Sequence, residues 1–128
     1  MMSVEDSAAR RFLSELGNKL DRPRAILMAS AHWCARAPVV GGCAVLETIH
    51  DFGGFPQQLY EMRYEPPGSV EIAGRAAELL AKSGIDVPID DTRGLDHGAW
   101  VPLMLMYPEA DIPVAQITTQ PYLDPAHH

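Results

Sequence analysis

Three of the five histidines stand where chemistry is plausible. His32 closes a short apolar run. His50 opens a stretch rich in glycine and aromatics, Thr48-Ile49-His50-Asp51-Phe52-Gly53-Gly54-Phe55-Pro56. His97 lies in Gly94-Leu95-Asp96-His97-Gly98-Ala99-Trp100. Neutral imidazole is the commonest protein ligand for divalent metals and also moves protons near neutral pH. Asp96 could orient His97 or supply charge beside it. The same residues, Asp96-His97-Gly98, also read as a helix entry, with the aspartate as cap and the glycine allowing a tight approach. On spacing alone, a metal site and a set of hydrogen-bonded structural histidines both stay open. Other chemistries lack their signatures: there is no GxxxxGK phosphate loop, no GxGxxG and no GxSxG elbow. Cys34 lies two residues from His32, but adjacency in sequence does not make a nucleophile and its base.

The elements that must position these residues follow from periodicity. Residues 3–20 read as a helix, with Ser3 as cap, Asp6 in the first turn, and Phe12, Leu13, Leu16 and Leu20 on one stripe. Asp21-Arg22-Pro23 ends it, since proline cannot continue a helix. Residues 25–31 are apolar almost throughout and suit a strand buried on both faces, with His32 and Trp33 at its carboxyl end. Residues 39–46 read as a second strand, made irregular by Gly41-Gly42. Residues 47–68 form a long loop whose aromatics Phe52, Phe55, Tyr60 and Tyr64 argue for order, and long loops in compact domains are commonly functional. A second helix spans residues 69–83 and stops at Gly84, and a short strand spans 85–89. Residues 98–107 are apolar all round and predict a buried helix, with Pro102 in its first turn. A last strand covers 112–118. This order predicts an α/β layered fold with a largely parallel sheet flanked by helices. In open sheets of this kind ligands bind beyond the carboxyl ends of strands, where His32 stands.

Composition narrows the partners. The chain has 128 residues, about the size of one domain. Its formal net charge of -7 opposes phosphate backbones and anionic lipid surfaces, so neither nucleic acid nor membrane is an expected partner. No apolar run approaches the roughly 18 residues that span a bilayer. The charged stretch from Met1 to Asp21 lacks a signal-peptide core, which predicts a cytoplasmic protein. Cys34 and Cys43 form no CxxC pair and are expected to be free thiols.

Five motifs in order carry a resemblance: Ser30-Ala31-His32-Trp33; Glu47 through Pro56; Tyr64 through Pro67-Gly68; Gly94 through Leu103; and Met106 through Val114. Together they resemble the DOPA-dioxygenase-like group of class III extradiol dioxygenases, of the LigB-like superfamily, over almost the whole chain. The resemblance implies a non-haem metal enzyme that binds a catechol through both hydroxyl oxygens, with dioxygen beside it, and opens the ring next to the diol. It implies iron(II) for turnover, with zinc able to occupy the same ligands. Carried over by motif, His32 is a metal ligand and His97 a pocket acid or base. His128, in Asp124-Pro125-Ala126-His127-His128, is a further ligand or proton donor. His50, Asp51 and Phe52 line the substrate pocket.

Members of that group are roughly twice this length. They carry a ligand histidine ahead of the segment matching Ser3 and another beyond the one matching His128. Residues 1–128 are therefore expected to be a single partial catalytic domain, with sheet edges open to a second copy. Three readings compete: a ring-cleaving dioxygenase represented in part, a metal-free binding module on the same fold, and an inert fragment that only oligomerises.

Overall fold

The computed structural model describes residues 7–128. The expected cap at Ser3 and first-turn Asp6 lie outside the described residues. Helix α1 (Ala8–Lys19) is capped by Ser7, whose Oγ accepts from the Arg10 amide at 3.2 Å. Its apolar stripe is only half used: Leu13 and Leu16 are partly buried, while Phe12 and Leu20 are exposed. The helix packs where Gly17 lets the backbone of Met106 approach too closely for any side chain.

Four strands form one mixed, mostly parallel sheet in the order β1-β4-β2-β3: β1 (Ile26–Cys34), β2 (Val40–Gly41), β3 (Ile89–Asp90) and β4 (Val114–Thr119). β1 runs parallel to β4, β2 parallel to β3, and β2 antiparallel to β4. The expected layered α/β class is what the chain adopts. Adjacent residues of β4 serve opposite faces, as strand geometry requires. Val114 joins Leu46, Tyr64, Leu95, Trp100 and Leu103 in the larger core, while Ala115 joins Val40 and Ala73 under the opposite layer. Helix α3 (Val70–Lys82), capped by the Ser69 hydroxyl, covers the second face. Helix α4 (His97–Met106) belongs to the first, with Ala99, Trp100, Val101, Leu103 and Leu105 buried.

Four details differ from the sequence reading, the first being that the strand expected at 85–89 narrows to β3 (Ile89–Asp90). β1 is an edge strand, so it is not buried on both faces: Leu27 is 49% exposed and only Ser30 is fully enclosed. The apolar run fixed the strand, but β4 alone pairs with it among the described residues. The second strand shrinks to two residues because the chain turns away after Gly42. Pro102 falls in the second turn of α4, not its first, because the helix already begins at His97. The proline removes the bond that residue 102 would donate to Gly98.

The long segment after β2 is ordered by its ends. Leu95 bonds to both Glu47 and Ile49 through the backbone: Ile49 N–H donates to Leu95 O at 2.7 Å and Leu95 N–H to Glu47 O at 2.8 Å. Tyr64 donates its hydroxyl to Tyr107 O at 2.8 Å, and the Trp100 indole N–H donates to Ile49 O at 2.9 Å. A short helix α2 (Gln57–Glu61) folds the middle back on itself. No helix among the described residues is long and apolar enough to cross a membrane.

Candidate functional site

His32 does not sit on a regular strand. Up to Ala29↔Ile117 the two parallel strands run residue for residue, but the next pairing is Cys34↔Thr119. β1 thus spends more residues than β4 between those points, and Ser30 to Trp33 bulge off the ladder. Bulges re-aim side chains and are concentrated next to active sites. The freed backbone is held locally instead: the His32 N–H donates to Ser30 Oγ at 3.1 Å.

Asp51 comes from the loop and His97 is the first residue of α4. Asp51 Oδ1 accepts from the His97 backbone N–H at 2.9 Å and lies 2.7 Å from its ring Nδ1. The carboxylate therefore sits at the amino end of a helix, where the exposed N–H groups and the helix dipole favour an anion. Its other oxygen, Oδ2, lies 4.0 Å from His32 Nδ1. The rings of His32 and His97 are tilted against each other with centroids 4.1 Å apart. Partial burial pushes the Asp51 carboxyl upward, but the hydrogen bonds from the His97 backbone and ring and the nearby His97 charge outweigh it. The group is held below the ordinary carboxylate value.

One ligand atom from each of His32, Asp51 and His97 lies within 4.8 Å of the other two. Donors on one ion with bonds of about 2.0–2.2 Å are separated by at most about twice that length, so small side-chain rotations close the set. Two imidazoles and a carboxylate are the donor types that suit iron and zinc. The residues present therefore fit a divalent ion.

Aromatic rings wall the cluster. Phe52 meets His97 edge-on at 5.4 Å and also packs on Tyr60, Phe55 and Trp100. His50 lies on the far side of Phe52, ring to ring at 6.0 Å, with Nε2 2.8 Å from Met62 O and 3.1 Å from the Arg63 guanidinium. Of the residues singled out by sequence, His32, Asp51, Phe52 and His97 converge, and His50 stands one ring behind them. His128 is not one of the grouped residues. Its Nε2 accepts from the Gln120 N–H at 3.2 Å. With Ala29, Leu80, Ile85 and Ile117 it lines a cavity of about 210 Å³ on the α3 side. Asp96 does not touch the His97 ring. It is fully buried and caps α4 through Ala99 N–H at 3.2 Å, so the helix-entry reading holds and Asp51 takes the orienting place. Gly98 supplies the tight approach: a Cβ there would stand 2.5 Å from His32 Cδ2. Sequence reading missed Ser30 and Arg93, which hold Asp96 at 2.6 and 2.9 Å. For Ser30 the sequence signal is a hydroxyl in an otherwise apolar strand, and Arg93 carries none.

The α/β sheet thus gathers histidines at a bulged strand end and a helix start, beside Asp51 of the loop. Residues 7–128 match the model of the catalytic LigB subunit of aromatic ring-opening dioxygenase, and the chain belongs to that family. It is 52% identical to the 4,5-DOPA dioxygenase extradiol of Beta vulgaris, over 100% of this chain and 49% of the relative. It is 47% identical to the protein of that name from Escherichia coli K12, over 92% of this chain and 43% of the relative. The crystal structure of the uncharacterized protein JW3007 from Escherichia coli K12 superposes with a TM-score of 0.71 at 38% identity, covering 91% of this chain and 42% of that one. The chain spans about half the length of the curated relatives it matches.

Proposed function

We propose that the chain forms part of the catalytic domain of an extradiol dioxygenase that opens a catechol-type ring with dioxygen at a non-haem metal. The observation that carries this reading is the convergence of His32, Asp51 and His97 at the carboxyl end of β1. His32 Nδ1 and Asp51 Oδ2 face each other across 4.0 Å and would hold the ion, with His97 beside them, its Nδ1 2.7 Å from Asp51 Oδ1. Iron(II) is the metal for turnover, and zinc would occupy the same donors. When bound, the ion supplies acidification of a catechol hydroxyl and a common point of contact for the diol and dioxygen.

The chain's own residues supply the rest. With Nδ1 tied to Asp51, the Nε2 atom of His97 is free to take a proton from a substrate hydroxyl and return it as the ring opens. The adjacent carboxylate stabilises the imidazolium that forms in between. Phe52 offers a ring edge against which an aromatic substrate packs, and His50 buttresses it from behind. His128, implied as ligand or proton donor by the resemblance, stands apart with Gln120, so the proposal rests on the three residues that converge. The net charge of -7 disfavours nucleic acid as a partner. The free thiols of Cys34 and Cys43 suit a reducing, cytoplasmic setting.

The test is elemental analysis of the purified chain together with His32→Ala, followed by oxygen uptake with a catechol after iron(II) loading. Near one ion per chain, lost in the variant, is the expected result. No metal above background in the parent chain would overturn the metal centre. Catechol binding that survives without metal would instead favour a binding module on the same fold.

A further inference from the structure

The bulge that aims His32 has lost its ladder partners, and something else must hold it. The structure contains one buried polar network that reaches both histidine-bearing elements. Ser30 Oγ accepts the His32 N–H at 3.1 Å and donates to Asp96 Oδ1 at 2.6 Å. The same Asp96 oxygen accepts from Ala99 N–H, capping the helix whose first residue is His97. Asp96 Oδ2 takes Arg93 at 2.9 Å, and the Arg93 guanidinium lies 5.1 Å over the Trp33 ring on the far end of the bulge. Asp96 has no exposure to solvent, and Arg93, the Ser30 hydroxyl and the Ala99 N–H supply the partners that a buried carboxylate needs.

We propose that Ser30, Asp96 and Arg93 are positioning residues that lock the β1 bulge to the start of α4 and so set the spacing of His32 against His97. The inference rests on the reading of His32, Asp51 and His97 as the reacting centre. Asp96 is the shared point: one oxygen serves strand and helix together, so the two histidines cannot move independently while it is in place. Groups that orient metal-binding side chains from behind typically change metal affinity by about 10- to 100-fold when removed. Ser30→Ala cuts the tie between strand and helix and leaves the cap and the Arg93 pair. Asp96→Asn keeps the cap, since asparagine caps as well as aspartate, and breaks the arm to Arg93.

Two readouts on the full chain decide the matter. The first is zinc affinity by competition titration of the parent chain and both variants, each checked for cooperative melting. Ser30→Ala is expected to weaken zinc about 10- to 100-fold, with Asp96→Asn in the same direction. The second needs no metal: proton NMR contacts between the His32 and His97 rings, which the 4.1 Å centroid distance predicts to be strong in the parent chain. Both variants should lose or weaken them while the melt stays cooperative. Unchanged ring contacts in folded Ser30→Ala would overturn the positioning role. Failure of the parent chain to take zinc would overturn the metal centre alone, and the ring contacts would still decide whether the network sets the histidines. If Ser30→Ala fails to fold, Asp96→Asn tests the Arg93 arm of the network by the same ring contacts, and unchanged contacts there would overturn the part assigned to Arg93.

Discussion

Replacing Gly98 with alanine should separate the stability of the chain from the geometry of its site. Gly98 is the second residue of α4 and its φ is not in the left-handed region, so the backbone accepts alanine. The space does not. An added Cβ would stand 2.5 Å from His32 Cδ2 and 2.5 Å from Ser30 Oγ, each about an ångström short of ordinary contact, which begins near 3.4 Å. Something must yield, and the His32 ring, 45% exposed, is the freer neighbour. Overpacking of this kind costs roughly 1–3 kcal/mol. Alanine recovers about 0.5–1 kcal/mol of that through its better helix propensity. The net loss is therefore at most about 2.5 kcal/mol, a fall of several degrees in melting temperature. The effect on the site is larger. Displacing His32 by about 1 Å is the scale of misplacement that costs about 10²-fold in a reaction held by geometry. The assay is thermal melting of Gly98→Ala beside zinc titration and the His32–His97 ring contact. A variant that melts normally, binds zinc as tightly as the parent and keeps the ring contact would refute the steric account. The close approach at Gly98 would then not set the place of His32.

Two further outcomes follow from the packing. Tyr64→Phe removes a buried hydroxyl that donates to Tyr107 O at 2.8 Å, and should cost about 1 kcal/mol in a urea melt near neutral pH. Burial first, then the charges of Asp111 and Tyr107, push the Tyr64 phenol up to about 12 from 10.0. The folded state therefore favours the neutral phenol. That share of stability is complete below pH 10 and lost as the pH rises toward 12, and Tyr64→Phe should abolish the late-ionising fraction in an absorbance titration. The outer edge of β1 predicts association: sedimentation over a range of concentrations should show self-association that Leu27→Lys reduces, because a charge on an exposed strand edge disfavours pairing. A chain that stays monomeric at every concentration would count against an adhesive edge.

The sequence by itself determined the class of fold and named most of the residues that converge at the candidate site. Local signals are short-ranged and survive translation into structure. Ser69 before an apolar stripe made a capped helix, Asp96 before another did the same, and the strand read at 112–118 became β4 (Val114–Thr119), inside the sheet. Histidines at a strand end and a helix start could be named because the motifs around them are distinctive. What sequence could not decide were distances set by pairings far apart in the chain. That Asp51, not Asp96, holds His97 depends on a loop folding back across 46 residues. That His128 stands with Gln120 depends on which side of the sheet the last turn falls. The bulge of β1 is invisible in its apolar run, because it exists only relative to β4. The tie that replaces the lost ladder joins Ser30 to Asp96 across 66 residues. A hydroxyl in an apolar strand carries no local preference that announces such a partner. Only the packed sheet and helix bring the two within a hydrogen bond, and burial then makes leaving either unpaired costly.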